Sequence, residues 1–299
     1  IFLPIGTIIY KTIFNNSSSI KYLFETLLIE YSINTVYLVL LTSFFSLIFG
    51  IFPAWFISIY KFKGRKFYDL FLFLPLAIPT YIMAFTYGDF LSYTGPIQTF
   101  FRNNFNEIYY LFNKDYLQIE ILAIILGLAL YPYIYSVSRV SFSLIGLNYI
   151  NLSKNLGLSS LKTFVKIILP LSSPAIFSGL FLVIMEVLNE YGAVKYFGVN
   201  TYTTGIFRAW FSMNDISSAI ILALILMLLV FFLFFLEKNY HSKYKFNYSS
   251  NTKIQNLSEV SLVKKVIIHI SCLIPFLLGF IIPLFYTINN SISIYHKTD

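Results

Sequence analysis

Residues 151–174 read NLSKNLGLSSLKTFVKIILPLSSP, a polar interruption between two long apolar runs. Nine residues separate Gly157 from Ile167, and Leu169 and Pro170 follow, which gives the spacing G-x9-I-x-L-P. Leu161, Phe164, Val165 and Ile168 recur at i, i+3, i+4 and i+7. That period predicts one apolar stripe on a short helix, with Lys162 and Lys166 off it. Ser159 or Ser160 can cap the start of this helix. Pro170 and Pro174 end it and begin the next element, because proline lacks the amide proton that a helix interior needs yet fits a first turn. The expectation is a helix, a glycine turn and a second amphipathic helix lying beside a membrane.

The chain around this stretch has a membrane composition: 299 residues, 58% hydrophobic and only 11% charged. A soluble domain of that size needs more charge to cover its surface. Phe and Tyr number 33 and 24, as aromatic belts at two membrane interfaces would require. The net charge of +8 is read as a report of topology and not as a nucleic-acid surface. The single Cys272 excludes an intrachain disulfide and a thiolate metal cluster. His241, His269 and His296 match no metal-ligand spacing. Neither a G-x4-G-K-[ST] phosphate loop nor a nucleophile–base constellation is present. No catalytic residue, metal or cofactor is therefore assigned, and ATP, if it drives the work, belongs to another chain.

Apolar runs long enough to cross roughly 30 Å of hydrocarbon lie at 33–60, 69–93, 116–138, 171–195, 216–236 and 266–288. A shorter run at 1–14 reads as part of a membrane helix in which the chain begins. Pro75 and Pro79 predict that the 69–93 span is broken or packed against protein, since each proline frees backbone carbonyls that lipid cannot satisfy. Fourteen of the 21 Lys and Arg fall in the loops at 61–66, 139–166 and 238–265, against seven elsewhere. The positive-inside rule then places the 151–174 stretch on the cytoplasmic side.

That stretch resembles the cytoplasmic coupling loop of ABC importer permeases, whose pattern is E-A-A-x3-G-x9-I-x-L-P. Gly157, Ile167, Leu169 and Pro170 match, while Asn151, Leu152 and Ser153 stand where Glu-Ala-Ala would be, which removes a charge that could pair with the ATPase. Two passages are similar to the ferric-iron subgroup: LPLAIPTYIMAFTYGDFLSYTGPIQTFFR at 74–102 and EVLNEYGAVKYFGVNTYTTGIFRAWF at 186–211. The resemblance implies an all-α, polytopic membrane helical bundle of the type I ABC importer permease fold, multi-pass in a bacterial inner membrane. It implies that Asn151, Ser153, Gly157, Ile167, Leu169 and Pro170 form the loop that docks on a cytoplasmic ATPase dimer. A periplasmic ferric-binding protein would be the donor, with membrane lipid and a second permease half as further partners and no nucleic acid.

Such permeases are fused, with about twelve spans in two halves. The expected organisation is a first repeat at 1–238 with its coupling loop at 140–170, a basic cytoplasmic linker at 239–265, and the first helix of a truncated second repeat at 266–299. The end, IIPLFYTINNSIS at 281–293, weakly echoes FLPIGTIIYKTIFNNSSS at 2–19. Asp89, Glu186 and Glu190 are the acidic residues closest to membrane depth, where charge demands a partner or a wet cavity. They read as lining a cation route, as helix-end partners of Lys195 or Arg208, or as simply exposed near the outer interface. Thiamine, polyamine or sulfate are alternative cargoes of the same loop, and an ion-coupled secondary transporter with broken helices is an alternative class.

Overall fold

The computed structural model describes residues 6–7, 10, 23–105, 115–243 and 261–298, and every regular element among them is helical. Most of the run at 1–14, of the first copy of the echo and of the basic linker lies outside the described residues. Helix α1, Leu28–Ile59, carries Pro53 inside it. Gly64, at φ 84°, turns the chain into α2, Arg65–Phe71. A short 3-10 turn, Leu74–Ala77, follows, and Ile78 is extended at φ −101°, ψ 118°, as the residue before a proline prefers. Helix α3, Thr80–Leu91, starts just beyond, so the proline passage is a broken span, as Pro75 and Pro79 predict. Helix α4, Pro96–Asn104, begins on a proline.

Helix α5, Ile119–Asn155, is a single helix of 37 residues. At 1.5 Å per residue that is about 55 Å, well beyond the hydrocarbon thickness. The expected end of this span at Ser138 is corrected: nothing after Pro132 breaks the helix until Gly157, so the first part of the 140–170 loop is helical. Three short pieces follow: α6, Ser160–Thr163, a π-helical turn, Phe164–Ile168, and α7, Leu169–Leu171. Helix α8, Ser173–Asn189, bends away from them by 71° and ends before the expected Lys195. Then come α9, Gly192–Tyr196, and α10, Tyr202–Phe207, with a π-helical turn at Arg208–Ser212. The last elements are α11, Ile216–Lys243, α12, Leu262–Phe276, and, after a further π-helical turn, α13, Ile282–Thr298.

Among the described residues four helical stretches are long and apolar enough to cross a membrane, or up to six if each bent pair is one span, and they overlap the six expected runs. Ile119–Ile145 is buried over 72% of its most apolar window, against 17% for Ile216–Tyr240. The first is therefore packed in protein, and the second has its apolar surface left for lipid.

The chain forms two compact units. The first, Ile1–Thr42 with Thr80–Leu126 and Ile184–Phe235, has Tyr31, Tyr202, Ala209, Ala219 and Leu222 as its core. Polar bonds fix its register. The Tyr202 phenol lies 2.7 Å from Ser32 Oγ, and Asn34 Nδ2 donates to the Asn200 carbonyl at 3.0 Å. Thr201 and Thr204 form a reciprocal capping box that starts α10.

The second unit, Ser43–Pro79 with Gly127–Val183 and Leu236–Asp299, is built on rings and aliphatic chains from α1, α2, α5 and α12. Within it a Cβ on Gly179 would lie 2.6 Å from Val137 Cγ2 and 2.9 Å from Ile134 Cα, so the α8 backbone rests directly on α5. Small residues at such crossings let membrane helices approach closely. Gly179→Val is expected to cost about 1–3 kcal/mol through overpacking, read as an earlier thermal unfolding of the detergent-solubilised protein.

Candidate functional site

The glycine turn closes α5 in the manner its sequence predicts. Leu158 N donates to the Ser153 carbonyl at 2.9 Å across Gly157, which sits at φ 71°. This is the left-handed helix ending that glycine adopts without a Cβ penalty. Ser159 is extended, and its Oγ accepts from Lys162 N at 3.4 Å, capping α6.

The expected single stripe is split in two. Phe164 and Ile168 are buried, at 5% and 0% exposure, whereas Leu161 and Val165 are 72% and 54% exposed. The cause is the π-helical turn, whose wider i→i+5 winding aligns residues four apart and rotates those three apart off one face. Phe164/Ile168 then points inward and Leu161/Val165 outward, alongside the exposed Leu156.

Phe164 roots the turn. Its ring lies 4.6 Å from Trp55, 6.1 Å from Phe142 and 6.5 Å from Phe52, and Trp55 meets Phe142 edge-on at 5.9 Å. Such contacts add to the burial of the rings themselves. Leu169 and Leu171 pack on the same cluster. Beside it lies an open, mostly apolar cleft of about 360 Å³ lined by Phe52, Trp55, Tyr60, Leu161, Phe164 and Lys264. Burial pushes the Tyr60 phenol above its ordinary pKa, opposed by its hydrogen bond with Ser160.

The same unit holds an ion pair between Asp69 and Arg139. The Tyr135 hydroxyl donates to Asp69 Oδ1 at 3.0 Å, and Ser58 Oγ donates to the Arg139 carbonyl at 3.0 Å. Trp55, Phe142 and Asp69 belong to no motif. The one signal in the sequence is an acid three residues after the basic run Lys61–Lys66.

Among the expected coupling residues, Gly157 and Pro170 are exposed, Ile167 and Leu169 are half-buried, and Asn151 lies in the last turns of α5. Ser153 is buried and closes on its own helix, its Oγ donating to the Tyr149 carbonyl at 2.5 Å.

The three acids are not gathered into one group: among the described residues no three His, Cys, Asp or Glu side chains come together as a metal site would require. Glu190 is half-buried and engaged at both oxygens. Oε1 accepts from Ala193 N at 2.9 Å, capping α9, and Oε2 takes the Thr80 hydroxyl. Asp89 lines a cavity of about 420 Å³ with Gln98, Asp115 and Tyr196, and Glu186 is exposed on α8. Lys195 and Arg208 lie elsewhere: the Lys195 ammonium is 5.3 Å from the Tyr191 ring centre, and Arg208 Nη2 donates to Asn200 Oδ1 at 2.8 Å.

Over residues 46–245 the chain matches the family described as the binding-protein-dependent transport system inner membrane component, and it belongs to that family. Its fold is accordingly the type I ABC permease fold of a multi-pass membrane protein. It is 27% identical over 231 residues to the Fe(3+)-transport system permease protein FbpB 2 of Haemophilus influenzae, covering 75% of this chain and 41% of that one. It is 27% identical over 158 residues to the sulfate transport system permease protein CysT of Salmonella typhimurium, covering 53% of this chain and 54% of that one. The CysT protein of Escherichia coli is 26% identical over 158 residues, with 53% and 54% covered. The chain thus spans about half the length of the curated relatives it matches.

Removal of the inward ring distinguishes the two faces of the turn. Phe164→Ala is expected to cost about 3–5 kcal/mol. Leu161→Ala should stay within about 0.5 kcal/mol, as an exposed site does. Thermal unfolding of the two purified variants checks the difference.

Proposed function

We propose that the chain is part of the membrane pathway of an ATP-driven importer, working with a cytoplasmic ATPase dimer, a periplasmic binding protein and a second permease half. The observation that carries this reading is the turn itself. Leu156, Leu161 and Val165 are exposed around Gly157, while Phe164 and Ile168 are rooted in the core. A partner that closes on the outward residues pushes on the inward ones, and Phe164 passes the push to Trp55 on α1 and Phe142 on α5. No bond is made or broken in this chain. ATP hydrolysis falls to the ATPase, and no cofactor is assigned here.

The cargo proposed first is ferric iron delivered by a ferric-binding protein. The iron-transport relative supports it by matching 75% of the chain, including the passages at 74–102 and 186–211. Sulfate is the second reading, supported by relatives of the same identity over a shorter stretch. Residues 1–238 are proposed as a first repeat and 266–299 as the opening of a second, with 239–265 as the linker between them. Asp89, Glu186 and Glu190 are proposed to border the route, Glu190 by fixing the joint between α8 and α9.

Cells carrying the complete permease with its neighbouring binding protein and ATPase should take up radiolabelled ferric iron, and an ATPase disabled in its phosphate loop should abolish that uptake. Uptake of radiolabelled sulfate in place of iron would select the second reading. Gly157→Arg should eliminate uptake while leaving the protein in the membrane, because the side chain projects from an open turn onto the docking face. Gly157→Ala should retain most of it, since it adds only the left-handed strain of roughly 1 kcal/mol. Equal uptake by wild type and Gly157→Arg would remove the coupling role.

A further inference from the structure

The connection between α8 and α11 forms an open cavity of about 390 Å³, with Tyr191, Lys195, Asn200, Phe207, Arg208 and Phe211 among its walls. We propose that this cavity binds a small oxyanion of the sulfate or phosphate class. The site is argued from its own geometry, and only its place on an import route rests on the transport reading above.

Two cations and no carboxylate line it. Among the described residues neither Lys195 nor Arg208 stands in an ion pair. Their positions explain why. The nearest acid in the hydrogen-bond chain, Glu30, is held off by the Asn200 amide, whose Nδ2 donates to Glu30 Oε1 at 2.7 Å while its Oδ1 accepts from Arg208 Nη2 at 2.8 Å. Asn200 therefore orients the guanidinium without neutralising it. A guanidinium has five N–H donors in a planar fork. Asn200 and the Tyr31 phenol engage part of that set, and the rest is open to a bidentate acceptor.

The remaining wall is aromatic. Tyr191 and Phe207 stack at 3.9 Å, Phe207 and Phe211 at 5.9 Å, and Phe211 carries Trp210 at 4.9 Å. Tyr191, Phe207 and Phe211 form one side of the cavity, and both cations stand at its solvent-exposed mouth. The Lys195 ammonium, 5.3 Å from the Tyr191 ring centre, is held over that face by cation–π attraction. Ser212 adds a neutral hydroxyl to the lining. The volume lies within the range of small-molecule sites and leaves room for part of an anion's water shell. The positive-inside count places the connection away from the cytoplasm, the side from which an import substrate arrives.

Trp210 makes the site readable. The complete permease in lipid nanodiscs, with neither ATPase nor binding protein, would be titrated with sodium sulfate and sodium phosphate, and with sodium chloride at matched ionic strength, while Trp fluorescence is followed. The expected result is a saturable change with sulfate or phosphate and none with chloride, its midpoint raised at least tenfold by Arg208→Gln and by Lys195→Gln. Arg208 also bonds Asn200 and Tyr31, so Lys195→Gln, at an exposed side chain resting on a ring, tests the charge with the fold intact. A response to chloride equal to that of sulfate and phosphate, no saturation at all, or saturation that survives Lys195→Gln would overturn the proposal. Because no transport is measured, loss of this binding leaves the importer reading standing, and loss of uptake leaves the site standing.

Discussion

The contact between Phe164 and Trp55 is the constraint on which the turn at the basic end of the molecule depends. A segment of three short pieces, α6, a π-helical turn and α7, has too few residues to be stable as an isolated helix. It is ordered because Phe164 and Ile168 are buried in a core shared with α1, α5 and α12. The π-helical turn matters for the same reason. By rewinding the chain it sends one pair of apolar residues into the core and leaves another, Leu161 and Val165, facing out. A single helical stripe would have buried both pairs and left nothing for a partner to press on.

The ion pair of Asp69 with Arg139 fastens the second joint of the same unit. It joins α2 to α5 close to the end of the broken proline span, where backbone groups freed by Pro75 and Pro79 need a fixed environment. Tyr135 and Ser58 complete it with hydrogen bonds to the carboxylate and to the Arg139 carbonyl. In the other unit, polar side chains serve the same architectural end. Glu190 caps a helix, and Thr201 and Thr204 cap another. Charge that at first sight belongs to a transport route is thus partly consumed in shaping the connection between α8 and α11, and the cations left over there are Lys195 and Arg208.

Membership of the permease family fixes the fold, but it does not fix the cargo. Relatives named for iron and for sulfate stand at the same 27% identity. Lys195 and Arg208, which stand in no ion pair among the described residues, line the cavity beside the aromatic rings.

The sequence by itself determined the helical membrane class, the positions of six spans, the break at Pro75 and Pro79, and the glycine turn with its Ser159 cap. These are local matters: apolar run length, proline and glycine chemistry and capping act within a few residues of chain. Only the tertiary structure decided that α5 continues to Asn155, that the stripe from Leu161 to Ile168 divides, that Ser153 turns inward and that Glu190 is a cap. It also decided that Asp69 meets Arg139, 70 residues away in sequence. Each of these depends on which distant side chain arrives at a given face. No periodicity along one strand of sequence records that, because the partners are chosen by packing and by the need to satisfy buried polar groups across the fold.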